Sequence, residues 1–230
     1  MNIPSQIRLF ADDCILYLEI KDNQDTIELQ NDLDQLYCWA ETNKMNINTT
    51  KSEAITFCRS KNIKNSSYTL GKDEISRVMS CKYLGVYFDS KLSWEKQVSN
   101  VAGKAWRSLH FVMRNLKKCN TEAKQLAYTS LVRPVLEYGV SCWDPYRMGH
   151  KSSLDRIQNK AAKFVFNGRK KVTQWETLEV RRKKARLCSM FRSYTGCNAW
   201  SEIRERFKKP NYYSRKDHGH KIRTNKQNMM

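Results

Sequence analysis

Glycine and proline are scarce in this chain, 8 and 4 among 230 residues, so few positions demand a break and a helix-rich structure is expected. No two of the 8 cysteines fall at C-x-x-C spacing, and several lie on apolar faces of predicted elements, which argues for small buried hydrophobes and against a disulfide framework. The histidines are equally sparse, and His218 and His220 sit in a polar tail with no cysteine nearby, so a zinc ligand set is missing. No apolar run approaches a membrane span, no secretory leader follows Met1 and no internal repeat is evident. These absences lead to the expectation of a reduced, intracellular chain, in cytoplasm or nucleus, that does not engage a membrane.

Acidic residues are the remaining shortage: 23 stand against 42 lysines and arginines, a net charge of +19. The imbalance is uneven. Residues 1–60 carry 5 basic against 10 acidic side chains, residues 61–145 carry 14 against 7, and residues 146–230 carry 23 against 6. An acidic head and a strongly basic tail suggest a metal-binding end and a polyanion-binding end. A basic face that merely meets solvent is the plainer alternative.

The acidic head holds the most informative stretch, Ile7 to Leu18. Two apolar runs, Ile7 to Phe10 and Ile15 to Leu18, flank Asp12 and Asp13, a pattern that predicts a β-hairpin with the acids in its turn. Asp pairs occupy turns for ordinary backbone reasons. Magnesium, however, is commonly held by one or two carboxylates with phosphates and waters completing the shell. A two-metal site needs more than neighbouring acids on one turn, so a third carboxylate is expected from elsewhere.

Farther on, Asp25-x-x-Glu28 resembles a helix start, followed by a face of Leu29, Leu33, Leu36 and Ala40, with Trp39 extending it as a core anchor. Ala54 to Cys58 reads as a strand, Arg59 to Ser67 as a loop, and Arg77 to Phe88 as two short strands or a tight hairpin around Gly85. From Ser93, a predicted cap, a long helix buries Val98, Val101, Ala105, Leu109, Val112 and Leu116. Lys104, Arg107, Arg114, Lys117 and Lys118 decorate its other faces. A helix over about 122–138 should be kinked by Pro134. Another is expected from Ser152-x-x-Asp155 with Leu154, Ile157, Ala161 and Phe164 inward, and a last one from Thr173-x-x-Glu176 to about Tyr194. The chain beyond Lys208 reads as a polar mobile tail.

The order of motifs resembles the reverse transcriptases of non-LTR (LINE-type) retrotransposons, most of all jockey-type elements. Phe10-Ala11-Asp12-Asp13 is similar to the palm motif, and Asn48-Thr49-Thr50-Lys51-Ser52 to the N-x-x-K-[ST] motif. Lys82-Tyr83-Leu84-Gly85-Val86 with Asp89 and Leu92-Ser93-Trp94 resembles the palm–thumb junction. Three downstream segments, 131–139, 154–162 and 175–182, match further motifs of the family.

The resemblance implies an α+β fold: a partial palm β-sheet (hairpin, helix and strands) over 1–90, a helical thumb over 91–145, a basic helix-rich region over 146–207 and the tail over 208–230. It implies nucleotidyl transfer on an RNA and DNA template–primer, with deoxynucleotides and Mg2+ as ligands. Asp12 and Asp13 would be the metal ligands, and Lys51 would assist proton transfer to the departing pyrophosphate. Tyr83, Leu84 and Gly85 would lie near the primer terminus. Lys104, Arg107, Arg114 and Lys117, together with the dense cluster Arg181, Arg182, Lys183 and Lys184, are the cations expected to meet nucleic acid. In the family, the fingers and a first metal-binding Asp precede the A-D-D motif. The expectation is therefore a truncated polymerase, inactive by itself, or a retained RNA- or DNA-binding module without catalysis.

Overall fold

The computed structural model describes residues 5–58, 66–168, 175–196, 212 and 214–216, and in them short strand pairs precede long helices, an α+β order. The chain divides into two units, Met1–Lys96 and Gln97–Met230, with the boundary in the first turn of the longest helix.

In the first unit, β1 (Gln6–Phe10) and β2 (Asp13–Tyr17) pair antiparallel with Phe10 opposite Asp13, which leaves Ala11 and Asp12 as a two-residue turn. Ala11 alone takes a positive φ there, 52°, the pattern of a type II′ turn. The helix that follows, α1 (Asn23–Thr42), starts a turn earlier than expected. Asp22 is its cap, accepting from the amides of Gln24 and Asp25 at 2.8 and 3.1 Å, while Asp25 reaches back to the Asp22 amide at 3.0 Å. An aspartate thus fills the third position of the capping box, where Glu or Gln is the common choice.

Leu29, Leu33 and Leu36 are half-buried and Ala40 is buried, as their spacing requires. Trp39 is not a core anchor: it is 44% exposed, because one residue before Ala40 lies roughly 100° around the helix. Gln30 acts as a strand surrogate, its amide exchanging hydrogen bonds with the Thr69 backbone at 2.9 and 3.0 Å. That contact docks β4 (Thr69–Leu70) and β5 (Asp73–Glu74) on α1. At their turn Gly71 has φ 64°, and a Cβ there would fall 2.6 Å from the Tyr37 ring, so only glycine permits the approach.

β3 (Glu53–Ala54) pairs in parallel with β6 (Ser76–Arg77). Of the strand expected over Ala54 to Cys58, the first residue alone belongs to the ladder. The remainder is fastened singly, Cys58 donating to the Ser90 carbonyl at 3.2 Å. The loop expected after it lies largely outside the described residues. β7 (Ser80–Tyr83) and β8 (Val86–Asp89) form the tight hairpin around Gly85. The four strand pairs are separate two-stranded sheets rather than one partial palm sheet. Such ribbons are marginal alone and lean on helix and loop contacts.

Asp89 closes the last hairpin. Its carboxylate accepts from the Lys91 amide at 2.9 Å, the Ser93 amide at 3.0 Å and the Ser93 hydroxyl at 2.7 Å. Partial burial opposes ionisation, but these donors prevail and hold the carboxyl below its ordinary range. A depressed folded pKa contributes stability that is present above the unfolded value of about 4 and fades as pH falls through the folded one. Asp89→Ala is expected to cost about 1–3 kcal/mol near neutrality. In urea unfolding across acidic pH, the parent's advantage should shrink with falling pH; an advantage constant down to pH about 2 counts against this role.

The second unit is helical. α2 (Glu95–Asn115) buries Gln97, Val98, Val101, Ala102, Ala105, Leu109 and Val112, the expected stripe with a wider margin, while Leu116 lies beyond the helix and is half-buried. Ser93 does contribute to its start, but its bond to the Glu95 amide is long, 3.4 Å. The predicted helix over about 122–138 is three pieces: α3 (Thr121–Ala127), a π-helical turn (Tyr128–Val132) and α4 (Arg133–Glu137). Pro134 has no amide to give and crowds the preceding carbonyls, so the turn before it widens.

α5 (Met148–Val165) begins four residues ahead of the predicted Ser152 and has no side-chain cap. Leu154, Ile157 and Ala161 are buried as expected, but Val165 takes the core position assigned to Phe164. α6 (Leu178–Thr195) is capped by Thr177, whose hydroxyl accepts from Val180 at 3.3 Å, and ends at Gly196 with φ 79°. The predicted cap Thr173 and most of the predicted tail lie outside the described residues.

Seven described cysteines are free thiols, and five of them, Cys14, Cys38, Cys119, Cys142 and Cys188, are exposed, so they do not serve as core hydrophobes. Cys38, for instance, stands about 200° around α1 from the buried Ala40. Among the described residues no helix is long and apolar enough to cross a membrane.

Candidate metal and nucleic-acid site

The hairpin register places Asp12 in the turn and Asp13 at the first position of β2. Both are exposed, and among the described residues neither side chain makes a hydrogen bond or ion pair. Leu9 and Phe10 beside them are 69% and 61% exposed. Two free hard-oxygen ligands suit one magnesium ion whose shell is completed by water and phosphate. They do not suit a two-metal clamp by themselves, and among the described residues no group of three His, Cys, Asp or Glu gathers to extend them. Asp32, a carboxylate the sequence pattern did not single out, is 1% exposed and accepts the Ser5 amide at 2.9 Å, which fixes β1 rather than offering a ligand.

The Asn48-x-x-Lys51-Ser52 motif is a turn closed by its own side chains and tied to β5 by Thr49, whose hydroxyl donates to Asp73 at 2.7 Å. Asn48 caps a 3-10 helical turn (Thr49–Lys51), its side chain accepting the Lys51 amide at 3.2 Å and the Thr50 hydroxyl at 2.7 Å. Ser52 donates back to the Asn48 carbonyl at 3.0 Å. Asn and Ser are thereby explained as turn-formers, and among the described residues the exposed Lys51 ammonium makes no hydrogen bond or ion pair, with Asp12 and Asp13 or any other group.

Leu84 and Gly85 form the turn between β7 and β8 with φ of 44° and 82°, a type I′ pair. Leucine in the left-handed region is strained by about 1–2 kcal/mol. Tyr83 ends β7 half-buried, whereas Leu84 is 37% exposed and outside the core.

Lys104, Arg107 and Arg114 are exposed along α2, and Lys117 lies exposed just past its end. Among the described residues none of the four has a hydrogen-bond or ion-pair partner. Lys104, Arg107 and Arg114 share one helical face with Phe111, itself 55% exposed.

The cluster on α6 is different. Arg182 is 1% exposed and donates to Asp144 at 2.8 Å, so it is a structural cation and is withdrawn from solvent and phosphate alike. Arg181 is clamped by both Glu137 oxygens, and Lys184 pairs with Glu176. Among the described residues Lys183 alone of the four stays exposed with a side chain that makes no hydrogen bond or ion pair.

The chain thus carries an exposed acidic hairpin tip, an exposed lysine turn and a basic helical face. It is similar to two proteins of Drosophila melanogaster. Over 165 residues it is 23% identical to the "Probable RNA-directed DNA polymerase from transposon X-element", covering 70% of this chain and 18% of that protein. Over 164 residues it is 28% identical to the "RNA-directed DNA polymerase from mobile element jockey", covering 69% and 17%. The chain thus resembles jockey-like reverse transcriptases of non-LTR elements and spans less than a fifth of the length of these curated relatives. No family model and no solved structure matches it.

Proposed function

We propose that this chain supplies palm and thumb parts of an RNA-directed DNA polymerase, holding template–primer by its helices and offering Asp12 and Asp13 to the magnesium of an incoming deoxynucleotide. The observation that carries the reading is the pair of exposed, unpartnered carboxylates at a hairpin tip in a chain similar to two such polymerases. Magnesium, when bound, would neutralise charge building up on the transferred phosphoryl group. The chain's own contribution is position: Asp12 lies in the hairpin turn, Asp13 at the head of β2, and Lys51 stands exposed at its own turn. Lys104, Arg107, Arg114 and Lys117 are the cations that track phosphate without reading sequence.

A second reading, binding without synthesis by these 230 residues alone, is favoured by the incomplete acid set. Purified protein with RNA template, primer, magnesium and deoxynucleotides is expected to bind template–primer but not extend it. Asp12→Asn should leave that binding unchanged. Extension that depends on Asp12 overturns the binding-only reading, and absence of binding at low salt overturns both.

A further inference from the structure

α2 sorts its apolar side chains cleanly, with one exception. Val98, Val101, Ala102, Ala105, Leu109 and Val112 are buried, Trp106 and Met113 are half-buried, and Phe111 is 55% exposed. At about 100° per residue, Phe111 lies roughly 120° around the helix from the centre of the buried stripe. It shares its face with Lys104, Arg107 and Arg114, at steps of three, four and three residues. The four side chains stand within roughly 80° of one another and span about 15 Å of helix.

The ring is uncovered. Among the described residues no aromatic side chain packs on Phe111 and no cation lies over it. Trp106, by contrast, is engaged by His110 at 5.4 Å. Arg107 does not shield Phe111 either: its guanidinium lies back over Gly103, where a Cβ would sit 3.6 Å from it. That follows from the tilt of helical side chains toward the N-terminus.

The charge around the ring is of one sign. No Asp or Glu occurs between Glu95 and Glu122, and the side chains of Lys104, Arg107 and Arg114 make no ion pair among the described residues. Three cations without counter-ions call for a polyanion, and the ring narrows its kind. A protein partner needs roughly 800 Å² of complementary surface with an apolar centre, which a lone ring between arginines does not provide. A duplex turns its base faces inward and leaves the ring nothing to stack on. An unpaired strand offers both parts: phosphates that follow the cations, and a base whose face covers an exposed ring.

We infer that this face of α2 holds an unpaired stretch of nucleic acid, with Lys104, Arg107 and Arg114 along its phosphates and one base stacked on Phe111. The inference rests on the previous reading for nucleic acid as the ligand and goes further in naming the unpaired strand and the residue that selects it. The cations serve paired and unpaired nucleic acid alike, whereas the ring serves the unpaired strand only. The face lies wholly in the second unit and involves neither Asp12 nor Asp13.

The test is fluorescence anisotropy with the full chain and three labelled probes: an oligoadenylate, an abasic strand of the same length, and a blunt duplex. Phe111→Ala, Phe111→Leu and Phe111→Trp are compared with the parent, and matched thermal melts show that each is folded. Phe111→Ala is expected to bind the oligoadenylate roughly tenfold more weakly. Its salt slope should not change, because no charge is lost. Its affinity for the duplex and the abasic strand should match the parent's. Phe111→Leu keeps apolar bulk without a π-face and should lose most of the same affinity, while Phe111→Trp should retain it. Arg107→Gln should weaken all three probes and reduce the slope on oligoadenylate by about 0.7.

Phe111→Ala that binds the oligoadenylate as the parent does overturns the inference and leaves the template–primer reading intact. An equal loss on oligoadenylate, abasic strand and duplex also overturns it, by making Phe111 a support for the helix. A parent protein that binds none of the three at low salt overturns both readings. Polyglutamate that displaces the labelled oligoadenylate as well as unlabelled oligoadenylate does overturns the choice of ligand and reassigns the face to an acidic peptide.

Discussion

Replacing Asp144 with alanine is expected to destabilise the protein by about 3–5 kcal/mol, the cost of stranding a buried charge. The charge is Arg182, 1% exposed on α6, whose Nε donates to one Asp144 oxygen at 2.8 Å. Arg186 holds the other oxygen at 2.8 Å. Among the described residues the remaining two nitrogens of Arg182 have no hydrogen-bond partner, so Asp144 is its hydrogen-bonded counter-ion, with Asp155 and Glu179 attracting it without a hydrogen bond. Asp155 attracts the same guanidinium, but burial outweighs that attraction and raises its own pKa, which makes it a poor substitute.

Domains are stable by only about 5–15 kcal/mol, so Asp144→Ala should bring the melt close to working temperature. The double variant with Arg182→Met should recover most of the loss, since an apolar side chain needs no counter-ion. An Asp144→Ala protein that melts like its parent would show that Arg182 finds compensation elsewhere.

Whether an element was legible in the sequence tracks how strong its periodicity is and how local its chemistry is. The β1–β2 hairpin and the α2 stripe follow from alternation and from 3.6-residue spacing, and both appear within a residue or two of expectation. Helix starts were less legible. Asp22 and Asp25 can each serve as a cap, and α5 begins with no capping side chain at all. Trp39 shows how identity misleads: a large ring suggests a core, but its angular position on α1 decides its exposure.

The site divides in the same way. Asp12 and Lys51 occupy local turns and Asp13 directly follows one, so their exposure could be anticipated from local chemistry. The fate of the α6 cluster could not be read locally. Arg181 and Arg182 are neutralised by Glu137 and Asp144, 44 and 38 residues away, and no linear charge count reveals such pairs.

That redistribution of charge has a measurable consequence for nucleic-acid binding. Counting all eight basic residues proposed from the sequence, Lys104, Arg107, Arg114, Lys117 and 181–184, predicts a duplex salt slope of about −7. Within the second unit the structure ties Arg181, Arg182 and Lys184 to carboxylates and leaves Lys183 without an ion pair among the described residues. Five of the eight then remain for phosphate, Lys104, Arg107, Arg114, Lys117 and Lys183, giving a slope of about −4.5 and roughly a five-hundredfold loss of affinity between about 50 and 200 mM salt. Lys183→Ala should flatten the slope by about 1, whereas Lys184→Ala should leave it unchanged. A slope near −7 that falls equally with either substitution would mean that the Lys184–Glu176 and Arg181–Glu137 pairs open on the nucleic acid.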